Sequence, residues 1–337
     1  MATVHRVLIV GTGSIGERHA RCFAATGRAT VSICEPNTER RREIVERYGI
    51  AESFDDFEAA VASRPDVAVV CTPAHLHVAM ATQLARAGVD LLIEKPLSVS
   101  LDGVDALMRD IDEAGVTARV AYVLQSHPVL ADMQAAVRSG RIGDPLQLVA
   151  VGGQDFPYYR PAYRETYYRS HATGGGAIQD ALTHTLNAAE WLVGPIDRLA
   201  ADAAHQKLPG VDVEDTVQII ARHGRCLASY ALNQHQGPNE NTLTIAGSLA
   251  TARFEGHHSR WSLCRGPEEP WQVQCEATPE RDDLFVRQAQ RFLDVREKQS
   301  AEMCSVESAA QTLRVNLAAL ASWRSRRWIE VATGNTI

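Results

Sequence analysis

The strongest constraint on the fold lies at the start of the chain. Residues 6–16 read RVLIVGTGSIG, a continuous apolar run closed by three glycines in G-x-G-x-x-G spacing. An unbroken apolar run suits a strand buried on both faces, as in a parallel sheet. Glycines that follow such a strand and open a helix have separate jobs. Gly11 permits the tight turn, Gly13 lets the backbone approach a pyrophosphate, and Gly16 lets the helix pack closely on the strand. The helical pattern that follows, 14–26, offers free N–H groups and a positive dipole end to the same place. Ser14 and Ile15 complete the expected cradle. The next apolar run ends at Glu35, nineteen residues after Gly16. A carboxylate there accepts hydrogen bonds from both ribose hydroxyls and repels a 2′-phosphate, so the expected cofactor is NAD rather than NADP. Arg40 and Arg41 weaken that preference slightly and otherwise read as a solvated helix face.

Strand and helix patterns keep alternating through the first third. Strands are expected at 67–71 (VAVVC), 90–93 (DLLI) and 118–122 (ARVAY), with helices at 38–48, 77–87 and 101–114. This rhythm predicts an α/β Rossmann domain, a doubly wound parallel sheet, over residues 1–125. After Pro128 the rhythm changes. A helix at 129–139 leads into strand-like runs (LQLVAVG, DRLAADAA, TVQIIARH, RCLASYALNQ, TLTIAG, WQVQCEA). One helix, 176–192, interrupts them, and two more, 284–297 and 306–324, close the chain. Residues 126–337 therefore read as an α+β domain on a large, mainly antiparallel open sheet.

Composition excludes some roles. Lys and Arg number 34 against 41 Asp and Glu, a net charge of −7, which leaves no electrostatic footprint for nucleic acid. No apolar run is long enough to span a membrane. The N-terminus has no signal-peptide pattern, and the seven scattered cysteines include no CxxC pair. A cytoplasmic protein with reduced thiols and no structural metal is expected.

Ligands bind outside the carboxyl ends of strands in open parallel sheets, which brings three further segments forward. Thr72 and Pro73 follow the 67–71 strand and should flank the cofactor. His77 opens the next helix, where it either holds the cofactor or caps and packs. Glu94-Lys95-Pro96 follows DLLI; Pro96 biases Lys95 toward an extended backbone that aims its side chain into the crevice. A lysine there can hydrogen-bond a substrate hydroxyl and, if desolvated, exchange protons near neutral pH. Far away lies Gly174-Gly175-Gly176-Ala177-Ile178-Gln179-Asp180-Ala181-Leu182-Thr183-His184. Asp180 and His184 are four apart, so they share one helix face and make an acid–imidazole pair. A helix-surface pair or two metal ligands are the alternatives; no third metal ligand is evident.

Taken in order, GTGSIGERHA, the acidic strand end, TPAHLH, EKP and GGG-x3-D-x3-H resemble the Gfo/Idh/MocA oxidoreductases, named after glucose–fructose oxidoreductase and inositol dehydrogenase. The resemblance spans essentially the whole chain. It implies nicotinamide-dependent hydride transfer on a sugar, cyclitol or related polyol. Lys95, Asp180 and His184 match the family's catalytic trio; whether Lys95 or His184 takes the proton stays open. It also implies a homodimer or homotetramer formed through the C-terminal sheet. Two other readings accompany it: an NAD-assisted lyase or glycosidase with no net redox change, and a non-catalytic dinucleotide-binding sugar sensor.

Two segments bear on substrate. After the fifth strand relatives often read VGYNxRFxP, whereas this chain has Tyr122-Val123-Leu124-Gln125, with Gln125 where arginine is common. A neutral amide cannot clamp an acid group as a guanidinium does. Tyr122 is expected beside the cofactor and Gln125 beside the substrate. Residues 156–169 hold five of the eight tyrosines, interleaved with arginines. Tyr163 and Tyr167 are taken as substrate contacts, since aromatic faces with polar donors suit a polyhydroxylated ring. An oligomer contact is the competing role for this arm.

Overall fold

The computed structural model describes residues 3–299 and 302–332. The chain divides into two units: Met1–Ser126 with Glu280–Ala310, and His127–Pro279 with Gln311–Ile337. A boundary after residue 125 is therefore close for the outgoing chain. The assignment of all of 126–337 to the second domain is not: helix Asp283–Arg296 buries Ala289, Phe292 and Leu293 in the first unit's core. Its sequence announces an amphipathic helix but not the surface it covers. Ion pairs of Asp282 with Arg21 (2.5 Å) and of Asp294 with Arg28 (2.7 Å) reinforce the packing.

The first unit is a six-stranded parallel sheet of β1 (His5–Val10), β2 (Ala29–Cys34), β3 (Ser53–Phe54), β4 (Val67–Val70), β5 (Asp90–Ile93) and β6 (Ala118–Val120). Five helices join the strands: α1 (Ser14–Ala25), α2 (Thr38–Tyr48), α3 (Phe57–Ala62), α4 (His77–Arg86) and α5 (Val104–Ala114). The order is β3-β2-β1-β4-β5-β6. The winding direction reverses between β1 and β4, so their carboxyl ends open the crevice where such sheets bind ligands. Val7, Ile9, Val67, Val69 and Leu92 are fully buried, as continuous apolar runs require. Asn37 caps α2 by accepting from the Arg40 N–H (2.9 Å), and Gly49 ends it in the left-handed conformation. β6 stops short of the expected strand because the Tyr122 N–H turns back onto the Val120 carbonyl (2.8 Å) and a 3-10 turn, Val123–Ser126, follows.

The second unit begins with α6 (Pro128–Arg138), β7 (Pro145–Asp155), α7 (Phe156–Tyr159) and α8 (Thr183–Val193). Strands β8 (Arg198–Ala204), β9 (Thr216–His223), β10 (Cys226–Asn233) and β11 (His235–Gly247) follow, then β12 (Thr251–Glu255), β13 (Arg260–Cys264) and β14 (Gln272–Glu276). α9 is the helix at Asp283–Arg296; α10 (Val306–Ser325) and β15 (Ile329–Glu330) complete the list. The nine strands run β14-β13-β12-β11-β7-β10-β9-β8-β15, antiparallel except that β7 and β10 are parallel. α6 is tied to the sheet by buried Trp261, whose indole N–H donates to Asp132 (2.7 Å). Ser322 on α10 accepts the Ala201 N–H (2.9 Å). The alternation in β7, β9 and β10 leaves Val149, Ile220 and Leu227 exposed on one face. Among the described residues no helix is long and apolar enough to cross a membrane.

Candidate active site

In the first unit the glycine-rich loop is built as its spacing predicts. A Cβ on Gly16 would lie 1.9 Å from the Gly11 carbonyl oxygen, so only glycine lets α1 sit this close to β1. A Cβ on Gly13 would meet nothing within 4 Å, because this residue and Ser14 face outward at the head of α1. Ile15 packs its side chain toward the core. Glu35 anchors the loop: its Oε2 accepts the Thr12 N–H (2.9 Å) and hydroxyl (3.0 Å), and its Oε1 the Asn37 N–H (3.0 Å). A carboxylate offers about four acceptor sites, so about one is left for a ribose hydroxyl. Arg40 is held by the Thr12 carbonyl (2.9 Å), Glu17 (2.5 Å) and Glu43 (2.7 Å), and Arg41 by the Glu35 carbonyl (2.6 Å). Burial works against the charge on Glu17, yet hydrogen bonds from Tyr48, Arg40 and Arg47 outweigh it and lower its pKa to about 2. Arg40 is thus committed to the loop and to helices α1 and α2, and Arg41 to the residue that follows β2.

Thr72 is half-buried and Pro73 exposed beyond β4. His77 is enclosed: its Nε2 faces the Thr72 carbonyl (2.7 Å) and its Nδ1 the Pro96 carbonyl (3.0 Å). Burial lowers its pKa, against the pull of those carbonyls. His77 therefore ties the β4 end to the turn after β5. In that turn Glu94 is buried; its Oε1 meets His19 Nε2 (2.7 Å) and its Oε2 accepts the Lys95 N–H (3.0 Å). Burial opposes the charge on Glu94, but the His19 contact and the Lys95 charge prevail and hold its pKa below the ordinary value. Lys95 itself is half-buried, and the Lys95–Pro96 bond is cis. Tyr122 and Gln125 are both buried, and the Gln125 carbonyl accepts from Arg291.

The second unit holds the other group. The expected helix over 176–192 is in two parts, a π-helical turn at Ala177–Leu182 and then α8. π-turns are rare and concentrate at functional sites. Asp180 lies in the π-turn and His184 in α8, so the two do not share one regular helix. The Tyr167 hydroxyl donates to Asp180 Oδ1 (2.8 Å).

The tyrosine-rich arm separates into two groups. Tyr163 is one correction: it is 2% exposed, meets Phe156 and Tyr168 edge-to-face, and donates its hydroxyl to the Pro209 carbonyl (2.8 Å). Its face and polar tip are both used in a packed cluster with Leu208, Val211 and Val213, which leaves nothing to offer a substrate. Tyr158, Tyr159 and Tyr167 are exposed, as are Arg160, Arg164 and Arg169.

Sequence reasoning missed Glu214 and Asp215. Glu214 is fully buried against the π-turn, where its Oε1 accepts the Ile178 N–H (2.8 Å). Asp215 accepts the N–H groups of Gln206 (2.9 Å), Lys207 (2.7 Å) and Leu208 (2.8 Å). Burial disfavours its charge, but these bonds win and hold its pKa low. The available signal was VDVEDTV, two adjacent acids embedded among apolar residues where a strand begins. Also missed was a cluster of Glu255, His257 and His258, whose carboxylate is already forked by Arg260 (2.9 and 3.2 Å).

A dinucleotide-type Rossmann unit is thus followed by a sheet unit with Asp180 in its π-turn and His184 in the helix that continues it. Comparison with known proteins agrees. Residues 5–122 match the oxidoreductase family with an NAD-binding Rossmann fold, and residues 130–253 the GFO/IDH/MocA C-terminal domain. The chain belongs to the Gfo/Idh/MocA family of oxidoreductases and carries its NAD-binding Rossmann domain. It is 26% identical over 288 residues to the levoglucosan dehydrogenase of Pseudarthrobacter phenanthrenivorans, covering 76% of this chain and 72% of that one. It is 26% identical over 197 residues to the scyllo-inositol 2-dehydrogenase (NAD(+)) of Bacillus subtilis, covering 56% of this chain and 54%, about half, of that one. Among solved structures, levoglucosan dehydrogenase in complex with NADH and levoglucosan superposes with a TM-score of 0.89 at 20% identity, over 98% of this chain and 100% of that one.

Proposed function

We propose that the chain oxidises a ring-CHOH of a sugar, cyclitol or sugar derivative, or reduces the corresponding ketone. The observation that carries this reading is the π-turn, with Asp180 held by Tyr167 and His184 just beyond it. Gly11, Gly13, Ser14, Ile15, Gly16 and Glu35 would hold the dinucleotide, with Thr72 and Pro73 beside it. The open approach at Gly13 and the close packing at Gly16 fit that role. Bound nicotinamide supplies the hydride acceptor or donor.

Each remaining task falls to a side chain of this chain. Lys95 donates a hydrogen bond to the reacting oxygen. His184 takes the hydroxyl proton as general base, and Asp180 orients the imidazole and balances the charge that forms on it. Tyr167 and Gln125 contact the substrate; Gln125 offers one amide donor pair and one acceptor, which suits a neutral hydroxyl better than a carboxylate. His77, Glu94 and Tyr122 complete the cofactor side, His77 and Glu94 through the turn after β5 that they brace.

Two further parts belong to this reading. A second copy covers the sheet face that exposes Val149, Ile220, Leu227 and Trp328, giving a homodimer or homotetramer. All seven cysteines are free thiols, which suits the reducing cytoplasm. Light scattering after size exclusion checks the first point, with a monomer as the contrary result. A panel of polyols, aldoses, uronates and nucleotide sugars, followed by absorbance of the reduced nicotinamide, tests the activity.

A further inference from the structure

The turn that carries Asp180 is held from below by a pair of residues outside the proposed machinery. Glu214 is fully enclosed, and a buried carboxylate is costly unless paired and hydrogen-bonded. Its Oε2 meets His171 Nε2 at 2.5 Å, its Oε1 accepts the Ile178 N–H at 2.8 Å, and its own carbonyl accepts the Ala177 N–H at 2.9 Å. The first N–H groups of a helical segment have no partner within it, and Glu214 accepts from two of them, those of Ala177 and Ile178. His171 is fixed in turn. Its ring meets the edge of Trp323, its Nδ1 lies 3.4 Å from Arg324, and its carbonyl accepts from Gln179 (3.2 Å), the residue before Asp180.

The triple glycine has its reason here. A Cβ on Gly176, whose φ is +89°, would lie 2.6 Å from the Glu214 carboxylate. A Cβ on Gly175 would lie 2.0 Å from the Tyr168 carbonyl oxygen. The loop is bare so that Glu214 and the arm can press against the turn.

We propose that Glu214 and His171 are positioning residues that hold the π-turn and so fix where Asp180 points relative to His184. The π form is uncommon and poorly self-supporting, so its persistence in one register needs partners outside the segment. Tyr167, in the arm, and His171, just beyond its end, lie four residues apart. One grips the Asp180 carboxylate, the other the acid beneath the turn. Two contacts therefore join this stretch of chain to the turn and to the acid beneath it. The inference rests on the roles given to Asp180 and His184 above.

The test uses the full-length protein with Glu214→Ala, Glu214→Gln, His171→Ala and His171→Gln. Hydrogen exchange is read on the peptide spanning 177–182, with NADH binding by fluorescence as a control. Both alanine variants should lose about 10-fold or more in protection at 177–182, the loss expected for a hydrogen bond to a charged group. Peptides of the first unit and NADH affinity should stay unchanged. The glutamine variants, which keep an acceptor at 214 or a donor at 171, should fall between. On a panel sugar that the wild type oxidises, kcat should drop about 10- to 100-fold in the alanine variants. KM should stay within about threefold, and His171→Gln should recover most of the loss. Unchanged exchange at 177–182 overturns the proposal, as does a loss spread evenly over the second unit. If the wild type oxidises no panel sugar, the dehydrogenase reading fails, while the exchange result still decides the positioning role.

Discussion

Gly13 and Gly16 stand three residues apart where the glycine-rich loop runs into α1, yet substitution by alanine should act on different properties. At Gly16 the new methyl would sit 1.9 Å from the Gly11 carbonyl oxygen and 3.3 Å from the Cys71 Cβ. Neither neighbour can yield cheaply: one is backbone and the other lies beyond the buried end of β4. Overpacking of this kind costs about 3 kcal/mol, and alanine's better helix propensity inside α1 returns about 1 kcal/mol, so the net loss is about 2 kcal/mol. At about 2–4 °C per kcal/mol for a unit this size, Tm should fall by about 4–8 °C. At Gly13 the methyl meets nothing, and the backbone (φ −57°, ψ −175°) is one that alanine adopts. Gly13→Ala should therefore melt with the wild type yet lose about tenfold or more in NADH affinity, because the methyl stands where a pyrophosphate must approach. Differential scanning fluorimetry and NADH fluorescence titration read the two effects separately. A wild-type Tm for Gly16→Ala, or wild-type NADH affinity for Gly13→Ala, would refute the reasoning.

Three other outcomes follow from named contacts. Glu35→Gln removes the charge that repels a 2′-phosphate but keeps an acceptor for Thr12, so the preference for NAD over NADP should fall about tenfold; an unchanged ratio in parallel titrations would contradict the role of Glu35. Tyr163→Phe should cost about 1 kcal/mol of stability through the lost bond to the Pro209 carbonyl, measured by urea unfolding, and leave KM untouched; a raised KM would return Tyr163 to the substrate set. Burial lifts Glu190 to about 7 from an ordinary 4.5, against hydrogen bonds from Thr312, Ile196 and Gln311. Because its folded pKa lies above its unfolded one, folding favours the protonated form, and the stability this adds is lost as pH rises from about 4.5 through about 7. Glu190→Gln should flatten the pH dependence of unfolding free energy across that window by up to about 1.4 kcal/mol per pH unit; an identical slope in the variant would contradict it.

How much was legible in the sequence depended on how local each cause is. RVLIV, VAVVC and DLLI declare buried strands because every residue in them is apolar, and the glycines and Glu35 follow at fixed spacing. β3 and β15, two residues each, are too short to carry a period. The π-turn is invisible because G-x3-D-x3-H reads equally well as a regular helix. Glu214, which accepts from the Ile178 N–H of that turn, is paired with a histidine 43 positions earlier in the chain. Tyr163 and Tyr167 sit in the same run of tyrosines and arginines, and only tertiary packing sends one into the core and the other to Asp180. Helix α9 shows its apolar face in sequence but not that the face closes the first unit's core.

The most direct test of the central claim is NAD reduction by the sugar panel with wild type, Lys95→Ala and His184→Ala side by side. NADH should accumulate in step with oxidised sugar for the wild type. Turnover should fall about 100-fold or more in each variant, as loss of a proton-transfer group or its partner predicts. Sugar consumed without NADH accumulating, or full activity in both variants, would contradict the account.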